Sequence, residues 1–290
     1  YERSGQIMAR FTNQAQLRYG NSIANSNIAV GEILEVLSAT KTAVTNSYSQ
    51  NDNMTYIISI VNSGTVPFSG ISVTDNLGAY LSGTESLTPL TYNEGSIKYY
   101  INGVLQPSPV VQAGPPMVVS GISIPAGGNV SVVYETTVNE YASPAAGASI
   151  TNTAIIAGTG VTPVTVEETI QSDNKPLLTI TKAVSPVPVT ENGTLTYTFT
   201  IQNTGNTVAD ETVGIVVTDI FDPLLSNLSV TFNGAAWSVA THYSYDTATG
   251  LFTTGAGQIT VPAATYTQDP VTNAWSINPG ISTLVVTGTV

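Results

Sequence analysis

The segment MTYIISIVNSGTVPFSGISVTDNL, from Met54 to Leu77, decides the fold of this 290-residue chain because it occurs twice. Its second copy is LTYTFTIQNTGNTVADETVGIVVTDIF, from Leu195 to Phe221. In both copies apolar and polar residues alternate with the period of two that is typical of half-buried β-strands, and Gly, Pro and Asn separate the alternating runs. The sequence therefore predicts an all-β protein built from two copies of one module.

The repeat extends beyond these segments, and its two copies end differently. ATKTAV (Ala39 to Val44) corresponds to ITKAVS (Ile180 to Ser185), and IPAGGNVSVVYETTV (Ile124 to Val138) corresponds to INPGISTLVVTGTV (Ile277 to Val290). Copy one continues through NEYASPAAGASITNTAIIAG, but copy two stops where this closing segment should begin. The N-terminal YERSGQIMARFTNQAQL resembles the missing closing segment.

Modules of about 110 to 130 residues with seven or more short strands are typical of immunoglobulin-like sandwiches. We therefore predict two tandem immunoglobulin-like β-sandwich modules, the second lacking its closing strand, together with an N-terminal donor-type strand segment. The expected divisions are a closing strand and junction at 1–36, a complete module at 37–158, a linker at 159–176 and an incomplete module at 177–290.

Composition restricts the partners and the chemistry. The net charge is −12 and the isoelectric point is near 4.2, which disfavours nucleic acid and anionic membranes as partners. Without cysteine, and with one histidine, the chain offers neither disulfides nor a transition-metal cluster, so we expect no metal and no cofactor. No apolar run reaches the roughly 18 residues of a membrane span. We expect an exported protein on the surface of a bacterial cell or spore.

Six polar residues fall on strand faces that the alternation assigns to the core. Alternate side chains of a strand share one face, so each strand shows which polar residue stands among its apolar ones. A buried unpaired charge costs several kcal/mol, so such groups are expected to interact. The six residues are Lys41, Asp75 and Asn152 in the first set, and Lys182, Asp219 and Asn13 in the second.

Two interpretations fit these sets. The simpler one is a buried Lys/Asp ion pair whose hydrogen bonds an Asn completes. The other is an intramolecular isopeptide bond, in which the lysine amine attacks the Asn carbonyl carbon and ammonia leaves. Burial favours the neutral amine and a protonated acid that can polarise the amide, and the fold supplies proximity. We predict bonds from Lys41 to Asn152 and, between subunits, from Lys182 to Asn13, with Asp75 and Asp219 as the catalytic acids.

The same residues carry a resemblance to a known family. The chain resembles the bacterial surface repeat called domain of unknown function eleven, whose modules contain a Lys strand, a TYT-type strand ending in NxG, a VTD strand and a closing NTA strand. The segment NQAQLRYGNSIANSN (13–27) also resembles the junction between modules in clostridial members. This resemblance implies an immunoglobulin-like fold, export and use as rods or stalks, and isopeptide crosslinks are familiar from related Gram-positive pilins and adhesins. The matching positions are Lys41, Tyr56, Asn62, Gly64, Asp75, Asn152, Thr153 and Ala154 in copy one, and Lys182, Tyr197, Asn203, Gly205 and Asp219 in copy two.

Three functions remain open from the sequence. The first is a subunit of an extracellular fibre that polymerises head to tail with other copies of itself by donating its N-terminal strand. The second is a segment cut from a long tandem-repeat surface adhesin or stalk.

The third is a carbohydrate-binding module that uses an aromatic surface in the second copy. Its candidate residues are Trp237, Tyr243, Tyr245, Tyr266 and Trp275. Asp246 and Asp269 lack calcium-loop spacing and are expected to cap turns. An enzyme is not expected, because the single His242 has no nucleophile motif beside it.

Overall fold

A hairpin and two β-sandwiches make up the computed structural model, which describes residues 8–290, without the side chains of residues 8–10 and 32–34. Strands dominate this range, and Glu211–Val213 forms a short 3-10 helix. The predicted all-β fold of two tandem immunoglobulin-like sandwiches is confirmed. No helix within residues 8–290 is long and apolar enough to cross a membrane.

The N-terminal hairpin, residues 8–34, consists of two strand pairs in line. β1 pairs with β4 and β2 pairs with β3, both antiparallel, and the backbone N–H of Ser26 donates to the carbonyl of Ala15 between the two pairs. Gly20, with φ of +54°, makes the tight turn at the tip. Residues 11–30 are exposed throughout. The strands are β1 (Met8–Asn13), β2 (Gln16–Tyr19), β3 (Ser22–Asn25) and β4 (Ala29–Leu34).

Module one consists of β5–β18 and contains two packed sheets. One sheet has the order β13-β12-β16-β7-β5, with β11 also on β16, and the other has the order β14-β15-β8-β17-β18-β6. The alternating apolar side chains of both sheets meet in one core. The strands are β5 (Leu37–Ala43), β6 (Ser47–Tyr48), β7 (Asn53–Asn62), β8 (Phe68–Asp75), β9 (Tyr80–Ser82), β10 (Glu85–Leu87), β11 (Leu90–Tyr92), β12 (Lys98–Ile101), β13 (Val104–Gln106), β14 (Val110–Gln112), β15 (Met117–Ile124), β16 (Asn129–Val138), β17 (Ser149–Ala157) and β18 (Val164–Ser172).

Half of the predicted linker 159–176 forms the strand β18. This strand pairs with β17 from Val164 to Gln171 and buries Ile170 in the core. Its inward positions include Glu168, so a charged residue interrupts the apolar alternation that would have identified a strand. Module one therefore closes with two strands instead of one.

Module two consists of β19–β28 and repeats five of the six strands in the first sheet of module one. Its sheet β23-β22-β28-β20-β19 matches β13-β12-β16-β7-β5, and β24 and β25 form a hairpin between Tyr243 and Thr254. The strands are β19 (Leu178–Ser185), β20 (Thr194–Asn203), β21 (Thr218–Ile220), β22 (Ser226–Phe232), β23 (Ala235–Trp237), β24 (Tyr243–Tyr245), β25 (Leu251–Thr254), β26 (Thr265–Gln268), β27 (Trp275–Asn278) and β28 (Gly280–Thr289).

The second sheet of module two is shorter than that of module one. In module one β8 pairs with β15 on one side and with β17 on the other. The corresponding β21 pairs with β25, and within residues 8–290 no strand pairs with its other edge. The interior side of β19 is consequently exposed at Ile180 and Val184. We call the unpaired edge of β21 and this side of β19 the open face.

Candidate functional site

Lys41 is buried at the centre of module one. It stands on β5 between Ala39 and Ala43, whose side chains pack against the core, and the lysine itself is 4% exposed. Its Nζ lies 2.7 Å from Oδ2 of Asp75 and 5.2 Å from the centre of the Tyr56 ring. The aspartate and the ring face stabilise a cation that burial would otherwise disfavour.

Asp75 is fixed at the end of β8 by three donors. Its Oδ2 accepts hydrogen bonds from Lys41 Nζ and from the Tyr134 hydroxyl. Its Oδ1 accepts one from the backbone N–H of Leu77 at 2.9 Å. Ala154 of β17 is its partner across the strands, so the closing strand passes directly beside this carboxylate.

Asn152 completes the group from β17 and is fully buried. Its Nδ2 donates to the Tyr134 hydroxyl over 3.4 Å, whereas its Oδ1 is buried without a hydrogen-bond partner. Leaving a buried amide oxygen unsatisfied costs about 1 to 3 kcal/mol. An unpaired oxygen at this place has a chemical explanation, because it is the atom that an acid must polarise before an amine attacks the adjoining carbon.

Burial sets the ionisation of the nucleophile and of its neighbour. It lowers the pKa of Lys41 to about 8, despite the opposing attraction of Asp75 and of Glu168. A much larger fraction of this amine is therefore neutral near neutral pH than in an exposed lysine. Burial and the nearby carboxylate raise the pKa of Tyr134, so its hydroxyl stays protonated and remains a donor.

The arrangement can transfer the lysine onto the asparagine. In that reaction a bond would form between Lys41 Nζ and Asn152 Cγ, the bond from Cγ to Nδ2 would break, and ammonia would leave. Asp75 contacts the amine that must lose protons, and the Tyr134 hydroxyl connects Asp75 to the departing Nδ2. The hydrogen bonds thus form one path from the nucleophile to the leaving group.

Tyr134 was missed in the sequence, although the same reasoning would find it. In NVSVVYETTV of β16 it shares the inward face with Val130 and Val132, and its ring stacks on Tyr56 with ring centres 5.7 Å apart. Tyr56 pairs with Tyr134 across the strands, and the equivalent Tyr197 of module two pairs with Val286. The two modules therefore differ at this hydroxyl.

Tyr134→Phe is expected to slow formation of the bond in module one by about tenfold or more, because the variant loses the hydroxyl between Asp75 and Asn152. The chain is purified in the unfolded state and then refolded. Its intact mass is measured over time, and formation of the bond appears as the loss of one ammonia. Tyr99→Phe is the matched control, since that buried hydroxyl donates to the Ser123 carbonyl away from the group. Equal rates in both variants and the wild type would remove Tyr134 from the reaction path.

The second lysine and aspartate also meet, but at the open face. Lys182 on β19 forms an ion pair with Asp219 on β21, and their side chains are 40% and 18% exposed. The Lys182 amine lies 4.5 Å from the centre of the Tyr197 ring. Asp219 pairs with Phe252 of β25 as Asp75 pairs with Met117 of β15. Lys182 is exposed because no strand within residues 8–290 covers this side of β19.

Asn13 lies away from this pair. It is exposed near the end of β1, where its partner across the hairpin is Ala29. The structure thus brings together Lys41, Asp75 and Asn152, and separately Lys182 and Asp219, and it leaves Asn13 on the N-terminal hairpin.

The remaining candidates have local roles. Asp246 accepts from the N–H of Ala248 and Asp269 from the N–H of Val271, so both cap turns as expected. Among the side chains that the structure describes, no group of three or more His, Cys, Asp or Glu residues could hold a metal ion. His242 accepts from the N–H of Ser238 in a turn.

The aromatic residues proposed for carbohydrate binding are engaged in separate contacts. Trp237 packs on Phe232 and His242, and Tyr245 accepts from the N–H of Leu225. Tyr243 is buried against Phe252, and Tyr266 donates to the Thr204 carbonyl. Trp275 lies where module two meets module one, and its backbone N–H donates a hydrogen bond to the Glu140 carbonyl.

Comparison with known proteins gives similarities to solved structures alone. No protein-family model and no curated protein matches the chain, so the resemblance to the domain of unknown function eleven stays a prediction. The major pilin subunit BcpA of Bacillus cereus is similar at 12% identity over 94% of this chain and 73% of that chain, with a TM-score of 0.36. The pilus backbone of Streptococcus pneumoniae is similar at 11% identity over 84% of this chain and 55% of that chain, with a TM-score of 0.34.

A third similar structure is the collagen-binding subdomain of the Enterococcus faecalis surface protein ACE. It has 12% identity over 49% of this chain and 99% of that chain, with a TM-score of 0.31. Likenesses at this level do not assign a function. The function proposed below therefore rests on the geometry of the two sites and of the open face.

Proposed function

We propose that this chain is a structural subunit of a bacterial extracellular fibre. Subunits assemble head to tail when the N-terminal strand of one copy enters the open face of module two in the next, and Lys–Asn isopeptide bonds reinforce the assembly. The observation that carries this proposal is that β1 has the residue pattern of β17, the strand for which module two has no equivalent within residues 8–290.

The match between β1 and β17 holds along the interior face. Ile150, Asn152 and Ala154 of β17 are buried in module one. The corresponding residues near the N-terminus are Phe11, Asn13 and Ala15, which are exposed. A strand with an apolar face in solvent and a sandwich with an unpaired edge are each unfavourable alone, and both are covered when they combine.

The same contact supplies the second crosslink. Aligned as β17 is on β8, the donated strand sets Ala15 opposite Asp219 and brings Asn13 to the Lys182 amine. Attack by Lys182 Nζ on Asn13 Cγ would release one ammonia and join two subunits. The reaction occurs once per junction, so it is self-modification without turnover.

The geometry of donation produces a filament. The donor lies before β5 at the start of module one, and the acceptor lies in module two, so one copy uses different surfaces for its two neighbours. A head-to-tail contact that does not close into a ring propagates indefinitely. The partners of the chain are then other copies of itself, outside the cell.

Removing residues 1–34 tests the proposal. The truncated chain is expected to remain monomeric under conditions in which the full chain forms fibres, because it lacks the strand that covers the open face. Module one should still fold and lose its own ammonia, since β5–β18 are retained. Size-exclusion chromatography and intact mass report the two results, and fibres of the truncated chain would refute donation by this segment.

A long tandem array is the second candidate, favoured by the direct connection of β18 to β19 through residues 173–177. In such an array the closing strands of every module would come from the same chain. Native material boiled in SDS distinguishes the two. A self-polymer gives a ladder with steps of one 30.1 kDa chain, whereas a tandem protein gives one large band.

A further inference from the structure

We infer that the donated unit is the whole N-terminal hairpin, with β4 taking in the neighbouring module two the place that β18 has in module one. This inference rests on the proposed function and goes beyond it, because a single donated strand would already satisfy the fibre model. Four observations on the described residues support a two-strand donor.

The first observation is the width of the open face. Module one closes with two strands, β17 on β8 and β18 on β17, and β18 also lies against β5 of the opposite sheet. In module two the counterpart of β5 is β19, whose interior residue Ile180 is 52% exposed. A single strand on β21 would occupy the position of β17 and leave this side of β19 in water. Covering β19 requires the counterpart of β18.

The second observation is that β1 is already paired with β4 in the described chain. Asn13 pairs with Ala29 of β4 as Asn152 pairs with Glu168 of β18, and both pairs are antiparallel. Donation of β1 alone would first break the hydrogen bonds of β1 to β4. Donation of the hairpin keeps them, so it avoids that loss.

The third observation is a complementary exchange of volume in the interior layer. In module one the cross-strand pair is Ile150 with Ile170, and both are buried. In the hairpin the corresponding pair is Phe11 with Gly31. The Phe11 ring lies over Gly31, where an added Cβ would collide with the Phe11 ring. A large and a small residue thus replace two of intermediate size, as a core of fixed volume requires.

The fourth observation is that the residue just before the first strand of each module makes the same backbone contact. Val36, just before β5, accepts a hydrogen bond from the N–H of Ser63 at 2.9 Å. Leu177, just before β19, accepts one from the N–H of Thr204, also at 2.9 Å. The chain therefore enters each module in the same way. With a donated hairpin, each junction between subunits would share this entry contact with the junction between module one and module two.

A reversible lock on the hairpin tests this inference in the full-length chain. Thr12 and Val30 are partners across β1 and β4 and are exposed. Their counterparts Thr151 and Thr169 also face solvent, with hydroxyl oxygens 2.8 Å apart. Because the chain has no cysteine, Thr12→Cys with Val30→Cys creates one defined disulfide. Each single variant is the matched control.

Assembly of the double variant is compared in oxidised and reduced form by size-exclusion chromatography and electron microscopy. A donated hairpin predicts fibres in both forms, with yields that agree within about twofold. Fibres in the reduced form alone would show that β1 must leave β4, which overturns the hairpin donor and leaves strand donation standing. Fibres in neither form, while the single variants do assemble, would show that these outward positions contact the acceptor and also overturn the inferred placement. If the single variants and the unmodified chain also stay monomeric, the proposed function itself fails.

Discussion

Replacing Asn13 by alanine is expected to convert an SDS-resistant ladder of subunits into monomers while native fibres still form. The variant removes the carbonyl that Lys182 would attack at each junction. It keeps the apolar residues of the donor, Phe11 and Leu17, so strand donation itself persists. Boiling in SDS followed by gel electrophoresis detects covalent links between subunits, and electron microscopy detects the fibres.

Gln14 provides the matched control for Asn13. It is the next residue, it is also an amide, and the strand alternation turns it to the opposite face, where its Nε2 donates to the Ser26 carbonyl. Gln14→Ala should leave the ladder intact. Lys182→Arg should also remove the ladder. A guanidinium keeps the positive charge, but it stays protonated near neutral pH and is therefore not a nucleophile. A ladder that persists in Asn13→Ala would show that another residue forms the junction.

Replacing Asn152 by alanine is expected to abolish the ammonia loss of module one and to lower its free energy of unfolding by about 4 to 5 kcal/mol. This figure is the chain-entropy value for opening a covalent loop of about 110 residues, by analogy with a disulfide. The Lys41 ion pair with Asp75 remains, so the module should still fold. Intact mass and guanidinium unfolding measure the two effects.

Thr151→Ala is the control for Asn152→Ala. Thr151 is adjacent on β17 but exposed, so its removal leaves the buried group intact. The control should show the full ammonia loss and nearly unchanged stability. If the wild-type chain has its full sequence mass after denaturation, no bond forms. Lys41, Asp75 and Asn152 are then a buried ion pair with an accompanying amide.

The sequence predicts the sandwich and the buried polar groups for the same physical reason. A period of two determines which side chains share a face of a strand. Because the same alternation occurs at equivalent positions in both copies, the two modules could be predicted together. The same parity predicts that Lys41, Asp75 and Asn152 face one interior, and the structure places them in hydrogen-bonded contact or connected through Tyr134.

The elements that sequence reasoning missed carry weaker patterns. β18 is hard to recognise because Glu168 interrupts the apolar alternation of its inward face, and its pairing with β17 shows that it belongs to the sandwich. β4 is short, contains Gly31, and follows an Asn-rich turn. Neither strand is defined by its own residues as clearly as by its partner.

The exposure of Lys182 in module two also could not be predicted from the alternation within single strands. Alternation assigns Lys182 to an interior face, but it cannot tell whether an opposing strand is present to enclose that face. The lysine is 40% exposed because nothing within residues 8–290 covers β19 on that side. Local sequence determines the direction of a side chain, and long-range pairing determines its burial.

The most direct measurement uses fibres grown from an equal mixture of isotopically heavy and light chains. After proteolysis, our account predicts a branched peptide that joins Lys182 to Asn13 and is lighter than its two parts by one ammonia. This peptide should occur in mixed heavy and light form as well as in both pure forms, because its halves come from different subunits. Fibres that yield no such peptide, or that yield it in pure forms alone, would contradict an isopeptide bond between subunits.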